Sequence, residues 1–349
     1  MTIAPLHYMT IGEASNLIGN REISPVELTK AFLDRIDSLD SKLHAYITVT
    51  TEFALRQARI AEAEILQGEY RGPMHGIPIA LKDLYGTRGI KTTAHSHILK
   101  NWIPDEDATT VSKLYDAGAI LLGKLSMYEF AWGDSHPDAP FPAARNPWSL
   151  EHLPGGSSSG SGTATAAGLC MGSLGSDTGG SIRYPASLCG LVGMKATYGR
   201  VSSYGVVPLS WSLDHCGPMT WTVEDNALML QAIAGYDPKD PTSTNTPVPD
   251  FTRDLGSGIE GLIVGIPREY FFDPTFLDPE QLSAVESAIQ VLESLGATTK
   301  VIDVPDMDPI TTAWSCVIMA EAYAYHENNI RIRGDEYGYI APRIHTGAF

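Results

Sequence analysis

The stretch HLPGGSSSGSGTATAAG, His152 to Gly168, decides how the rest of the chain is read. Taken alone it has the composition of a flexible tether between two domains. Its neighbours argue otherwise. AGLCMGSLGSD (167–177) and ASLCGLVGMKAT (186–197) are apolar enough to be core, so the small-residue segment from about Gly155 to Gly205 lies inside the fold. Ser157, Ser158, Ser159 and Ser161 are then packed residues whose hydroxyls need partners.

Working outward, GIPIALKD (76–83) and AGAILLGK (117–124) are short apolar runs bounded by Gly and Pro, the pattern of strands buried on both faces. SPVELTKAFLDRIDSL (24–39) opens a helix with Ser24 as N-cap, Pro25 at N1 and Glu27 completing a capping box. A second helix runs from Thr51 to Gly68. TVEDNALMLQAIAG (222–235) reads as a capped helix. DPEQLSAVESAIQVLESLG runs as another from an Asp278 N-cap to Gly296 at C′, between the strand-like GLIVGIP (261–267) and TKVIDV (299–304). Strands and helices interleaved in this way predict an α/β protein. With no repeat and no dividing linker, residues 1–349 are expected to form a single domain, with a helical N-terminal segment over 1–70.

The chain has 349 residues, 43% hydrophobic, and a formal charge of −17 from 24 Lys+Arg against 41 Asp+Glu. No basic run accompanies this acidity, which excludes nucleic acid and anionic membrane as primary partners. No apolar run reaches the about 18 residues of a membrane span, and the start lacks the basic-then-apolar pattern of a signal peptide, so a cytoplasmic location is expected. The four cysteines (170, 189, 216, 316) form no CxxC pair and read as free buried thiols. His95 and His97 make only a lone His-x-His, and no metal is expected.

Three motifs mislead. GAILLGKLS (118–126) nearly fits a P-loop, but Leu125 stands where the magnesium-binding hydroxyl belongs and AILL is a strand, not a loop. GSSSG (156–160) fits a nucleophile elbow at Ser158, with Asp214 and His215 downstream, yet no hydrophobic strand precedes it. DTGGS (177–181) has one aspartic-protease triplet where two are required.

The last motif has another use. Gly179 and Gly180 before Ser181 allow a turn that aims backbone N–H groups at one point, as an oxyanion needs. Ser181 then needs a base. No histidine accompanies the motif tightly, whereas Lys82 ends a buried strand. Bringing a lysine from about 10.4 to about 7.5 takes roughly 4 kcal/mol, which burial supplies. The alternative is a Lys82 held in an ordinary buried pair with Asp83 or another carboxylate.

GIPIALKD, PGGSSSGSG and GSDTGGSIRYPAS, in this order and spacing, closely resemble the amidase signature family, and the likeness runs from about Ser24 to SLDHCGPMTWTVEDNALMLQAIAGYDPKDPTS. The resemblance implies an amidase-signature fold, a central mixed β-sheet covered on both faces by α-helices, with a signature core over 71–235. It implies a serine amidohydrolase with no cofactor, acting on a small-molecule amide through an acyl-enzyme. Lys82 matches the general base, Ser157 the relay residue in a cis peptide, and Ser181 the nucleophile. The backbone of Thr178, Gly179, Gly180 and Ser181 matches the oxyanion hole; Ser158, Asp177 and Arg183 match supporting residues. Ala131 falls where members contact substrate, and the aromatic residues Tyr128, Phe130, Trp132, Tyr184 and Trp211, near the expected site, suggest an apolar or aryl acyl group. Ser159 departs from the family's usual glycine. Family chains run on past Phe349, so part of the C-terminal region is expected to be missing; a homodimer is compatible with the pattern. Within the family, PLSWSLDHCGP and Tyr184 favour a free-standing amidase. The alternative is the glutaminase (A) subunit of a tRNA-dependent amidotransferase, which works with partner subunits and which GYDPKDPTS resembles. A second alternative is an inactive scaffold.

Overall fold

Every residue of the two strands expected from GIPIALKD and AGAILLGK is buried in the computed structural model, which describes residues 5–134, 136, 138–275, 277–338 and 340–348. The chain forms two compact units, residues 1–251 with 318–349, and 252–317.

Along the first unit the elements are α1 (Ile11–Gly19), α2 (Pro25–Leu43), β1 (Tyr46–Val49), α3 (Thr51–Gln67), β2 (Pro78–Lys82), α4 (Thr109–Asp116), β3 (Ile120–Leu125), α5 (Ser159–Ala166), β4 (Gly172–Asp177), α6 (Arg183–Cys189), β5 (Val192–Gly193), β6 (His215–Thr220) and α7 (Val223–Ile233). The six strands make one sheet in the order β1-β3-β2-β4-β6-β5. β2 runs parallel to β3 and β4, while β1, β5 and β6 pair antiparallel with their neighbours. The sheet is therefore mixed. Successive strand residues face opposite sides, so full burial of β2, β3 and β4 means that both faces of the central strands are covered.

The helix ends follow from their caps, with one difference. Ser24 Oγ accepts from the amides of Val26 and Glu27 and donates to Glu62 of α3, but among the described residues no bond returns from the Ser24 amide to the Glu27 carboxylate, so the expected box is only half formed. The reciprocal box lies one helix earlier, where Thr10 and Glu13 exchange bonds of 3.1 and 2.9 Å. Gly68, at φ +93°, ends α3 in the left-handed region.

The small-residue tract is neither tether nor loop. From Ser159 it is α5, buried through Thr165 and laid on β4 by its own short side chains. Ser161 Oγ donates to the Leu174 carbonyl at 3.1 Å, and Thr165 Oγ1 and Ser173 Oγ share a hydrogen bond of 2.9 Å. Because β2 and β4 are parallel neighbours, with Leu81 opposite Leu174, both carry their C-terminal ends to one edge of the sheet. Lys82 and Asp177 are the last residues of those strands. Ligand sites of α/β sheets form at such carboxyl ends.

The second unit contains β7 (Ile263–Ile266), α8 (Arg268–Phe271), α9 (Pro279–Ser294) and β8 (Thr298–Val301), with the two strands parallel and the helices between them. Asp278 caps α9, and Gly296 follows its end at φ +95°. Two more helices, α10 (Met307–Arg333) and α11 (Ala341–Thr346), complete the chain. In the first unit, Ile318, Ala322, His326 and Ile330 of α10 recur every four residues as a buried stripe. All four cysteines are free; Cys170, Cys189 and Cys216 are buried, but Cys316 is exposed, which corrects the expectation of four buried thiols. Among the described residues, no helix is long and apolar enough to cross a membrane.

Candidate active site

Lys82 sits at the C-terminal end of β2 with no exposed surface, and among the described residues no carboxylate pairs with it. Its Nζ lies 2.7 Å from Ser157 Oγ and 2.9 Å from Ser176 Oγ, as donor to both. Burial pushes the amine down to about 7, against a partial pull upward from Asp214 and Asp177. Asp83, offered above as an ordinary partner, is used elsewhere: Lys124 of β3 lies 3.2 Å from its Oδ1 and also donates to the Tyr85 carbonyl and Thr92 Oγ1, both at 2.7 Å. Lys124, the lysine of the P-loop-like motif, is thus a buried structural cation inside a strand.

Ser157 follows a cis peptide bond at Gly156–Ser157. A Cβ at Gly156 would stand 2.2 Å from the Tyr128 ring, so only glycine fits there. Ser176 was not among the expected residues. Its place beside Lys82 depends on the register of β2 with β4, which no local pattern in either strand encodes. Ser158 Oγ donates to the Ser176 carbonyl and accepts from the Ser176 amide, both at 3.2 Å, and its own amide donates to the Ser181 carbonyl at 3.3 Å. These bonds tie the Ser157–Ser158 segment to both ends of the Ser176–Ser181 stretch.

Asp177 organises the turn that follows β4. Its carboxylate accepts from the amide of Gly180 at 2.7 Å, that of Ile182 at 3.2 Å, and Arg183 Nε and Nη2, each at 3.0 Å. Burial drives this carboxyl upward, but Arg183 and the turn amides outweigh it and hold it below the usual range. Since the Gly180 amide is engaged by Asp177, it is not available as the oxyanion donor expected above. The amides of Gly179 and Ser181 carry no hydrogen bond among the described residues. Thr178 Oγ1 donates to Asp214 Oδ1 at 2.5 Å, and Ser181 is partly exposed.

The histidine alternative does not assemble. Ser158 is bonded to the Ser176 backbone, and Asp214 accepts from Thr178 and the amides of Leu209 and Ser210. His215 Nδ1 lies 2.7 Å from the Leu213 carbonyl. His95 and His97 contact different carbonyls, those of Phe141 and Asp138.

The expected substrate-side residues divide. The Tyr128 amide donates to the Ser157 carbonyl at 3.0 Å, which sets Tyr128 against the relay segment. Ala131 is buried at φ +62° in the same turn, Trp132 is half-buried, and Phe130 packs on His326 and Tyr337 in the core. Tyr184 lies in the first turn of α6 half-exposed, its amide bonded to the Gly180 carbonyl at 2.7 Å.

Residues 27–344 match the Amidase family. The glutamyl-tRNA(Gln) amidotransferase (A) subunit of Geobacter sp. (strain M21) is 47% identical over 333 residues, covering 95% of this chain and 67% of that protein. Among solved structures, a chain from a vestigial protein complex that bears on the origins of an s-triazine catabolic enzyme superposes with a TM-score of 0.92 at 35% identity, covering 98% of this chain and 74% of the other. The peptide amidase of Stenotrophomonas maltophilia does so with a TM-score of 0.84 at 34% identity, over 94% and 68% of the two chains. The family match over most of the chain and the similarity to these proteins agree with the motifs that frame Lys82, Ser157 and Ser181: the chain belongs to the amidase signature family, as an amide-cleaving enzyme.

Proposed function

We propose that the chain cleaves a carboxylic amide through an acyl-enzyme on Ser181, with Lys82 as base and Ser157 as relay. The observation that carries this is a fully buried lysine paired with hydroxyls instead of a carboxylate. A neutral amine has two N–H groups and one lone pair. One N–H directed to Ser176 Oγ leaves the lone pair to take the Ser157 proton, while Ser157 takes that of Ser181. Ser181 Oγ then attacks the carbonyl carbon, and the amides of Gly179 and Ser181 receive the oxyanion. The relayed proton returns to the departing nitrogen, the C–N bond breaks, and water attacking by the same relay releases the acid and restores Ser181.

For the amide itself, the sequence relatives favour glutamine. The relative at 47% identity is an amidotransferase (A) subunit, against 34% for the peptide amidase, which reverses the order expected from PLSWSLDHCGP and Tyr184. In this reading Ser181 releases ammonia from glutamine and partner subunits consume it. One observation favours a free-standing amidase: Tyr184 stands half-exposed against the Asp177–Arg183 turn, an apolar surface suited to an aryl or peptide amide. Ammonia release from glutamine, with and without added amidotransferase partner subunits, is compared with hydrolysis of aryl and peptide amides. Glutaminase activity raised by the partners supports the first reading. Hydrolysis of aryl or peptide amides by the chain alone, with glutamine inert under both conditions, overturns it in favour of the second.

A further inference from the structure

Acyl transfer on Ser181 makes no direct use of PLSWSLD (208–214), yet this loop is fixed from three directions. Glu321 of α10 grips it from outside: its Oε2 accepts from Ser210 Oγ at 2.6 Å and the Ser212 amide at 3.1 Å, and its Oε1 accepts from Ser212 Oγ at 2.6 Å. Tyr198 holds the tip between the two serines, its hydroxyl donating to the Trp211 carbonyl at 2.7 Å. From inside, Asp214 Oδ2 accepts from the amides of Leu209 and Ser210 at 2.8 and 3.1 Å, and Oδ1 accepts from Thr178 Oγ1. Ser210 is therefore bonded through its hydroxyl to Glu321 and through its amide to Asp214. A chain of four residues, Glu321, Ser210, Asp214 and Thr178, links α10 to the turn that carries Gly179 and Ser181.

We propose that Glu321 is a positioning residue, holding the 209–214 loop so that Asp214 and Thr178 keep the oxyanion-binding amides in place. The inference rests on the reading above that this turn receives the oxyanion. The physical ground is that bonds to a carboxylate are about twice as strong as neutral ones, and one carboxylate here orders three donors of a single loop. Loss of an oxyanion donor costs about 10²–10³ in rate, so a turn that is loosened but not lost costs less.

The test uses the full chain and a fluorophosphonate probe, whose reaction with serine needs the same nucleophile and oxyanion donors but not the natural substrate. Glu321→Ala is expected to lower the maximal labelling rate about tenfold while the probe's half-saturation concentration stays within about twofold. Glu321→Gln, which keeps hydrogen-bonding capacity on both arms, is expected to restore the rate to within about threefold of the parent. Ser210→Ala/Ser212→Ala removes the clamp from the loop side, should match Glu321→Ala, and decides the matter if that variant fails to fold. Parent-like labelling in the folded clamp variants overturns the proposal. Parent-like labelling of Ser181→Ala overturns the acyl-enzyme reading instead, so the two failures are distinguishable.

Discussion

Two lysines buried on adjacent strands meet opposite fates. Lys124 is matched with Asp83 and two further oxygen acceptors, the usual way to keep a cation out of water. Lys82 receives only hydroxyls, so burial is offset weakly and its pKa falls to about 7. Lys82 as a candidate base was legible from its place at the end of an apolar run. Its freedom from Asp83 was not, because that depends on Lys124 lying opposite Leu81, on the other face of the strand from Lys82. A base that must be neutral loses function as it gains a proton. The kcat/KM is therefore expected to fall tenfold per pH unit below about 7 and to level off above it, as a pH–rate profile will read. Lys82→Arg, which is never neutral, should lose about 10³-fold or more. His215→Ala should stay within a few-fold of the parent, since its Nδ1 faces the Leu213 carbonyl and not a catalytic hydroxyl.

At the scale of elements, α2, α3 and α9 were legible because each carries apolar periodicity with recognisable ends: Ser24 and Asp278 as caps, Gly68 and Gly296 as stops. The helix α5 was not. Its eight residues are all Ser, Gly, Thr or Ala and show no period, and its partners on β4 and at the Arg145 carbonyl lie outside the helix, 8 to 18 residues away. Only the surrounding apolar segments signalled that the tract was packed. Its glycines are there for close approach: a Cβ on Gly160 would stand 2.5 Å from the Ala45 carbonyl oxygen and 2.6 Å from the Ser126 backbone. Backbone atoms of β3's end cannot swing aside as a side chain would. Gly160→Ala is therefore expected to destabilise the protein by about 2–3 kcal/mol, whereas Gly334→Ala, with nothing within 4 Å of its Cβ and no positive φ, is expected to change stability by less than about 1 kcal/mol. Urea denaturation of the two variants checks the contrast.

For the molecule as a whole, the α/β class and the three co-linear motifs were legible, while the strand order β1-β3-β2-β4-β6-β5 was set by long-range pairing that no single segment encodes. The same holds for stability against acid. His95 and His326 lie in the core, and burial lowers each to about 4. In the unfolded chain they take protons near 6.5, so between about 6.5 and 4 the unfolded state binds more protons and stability falls as pH falls. Each histidine contributes roughly 3 kcal/mol across that window. Melting temperature should decline from pH 6.5 downward, and more shallowly in His326→Phe; an equal slope in the variant would contradict this. Intact-protein and peptide mass spectrometry after reaction with a fluorophosphonate tests whether Ser181 carries the acyl group and Lys82 enables it. One adduct is expected, on the peptide holding Ser181, absent in Ser181→Ala and formed far more slowly in Lys82→Ala. An adduct on another residue, or undiminished labelling in either variant, would contradict it.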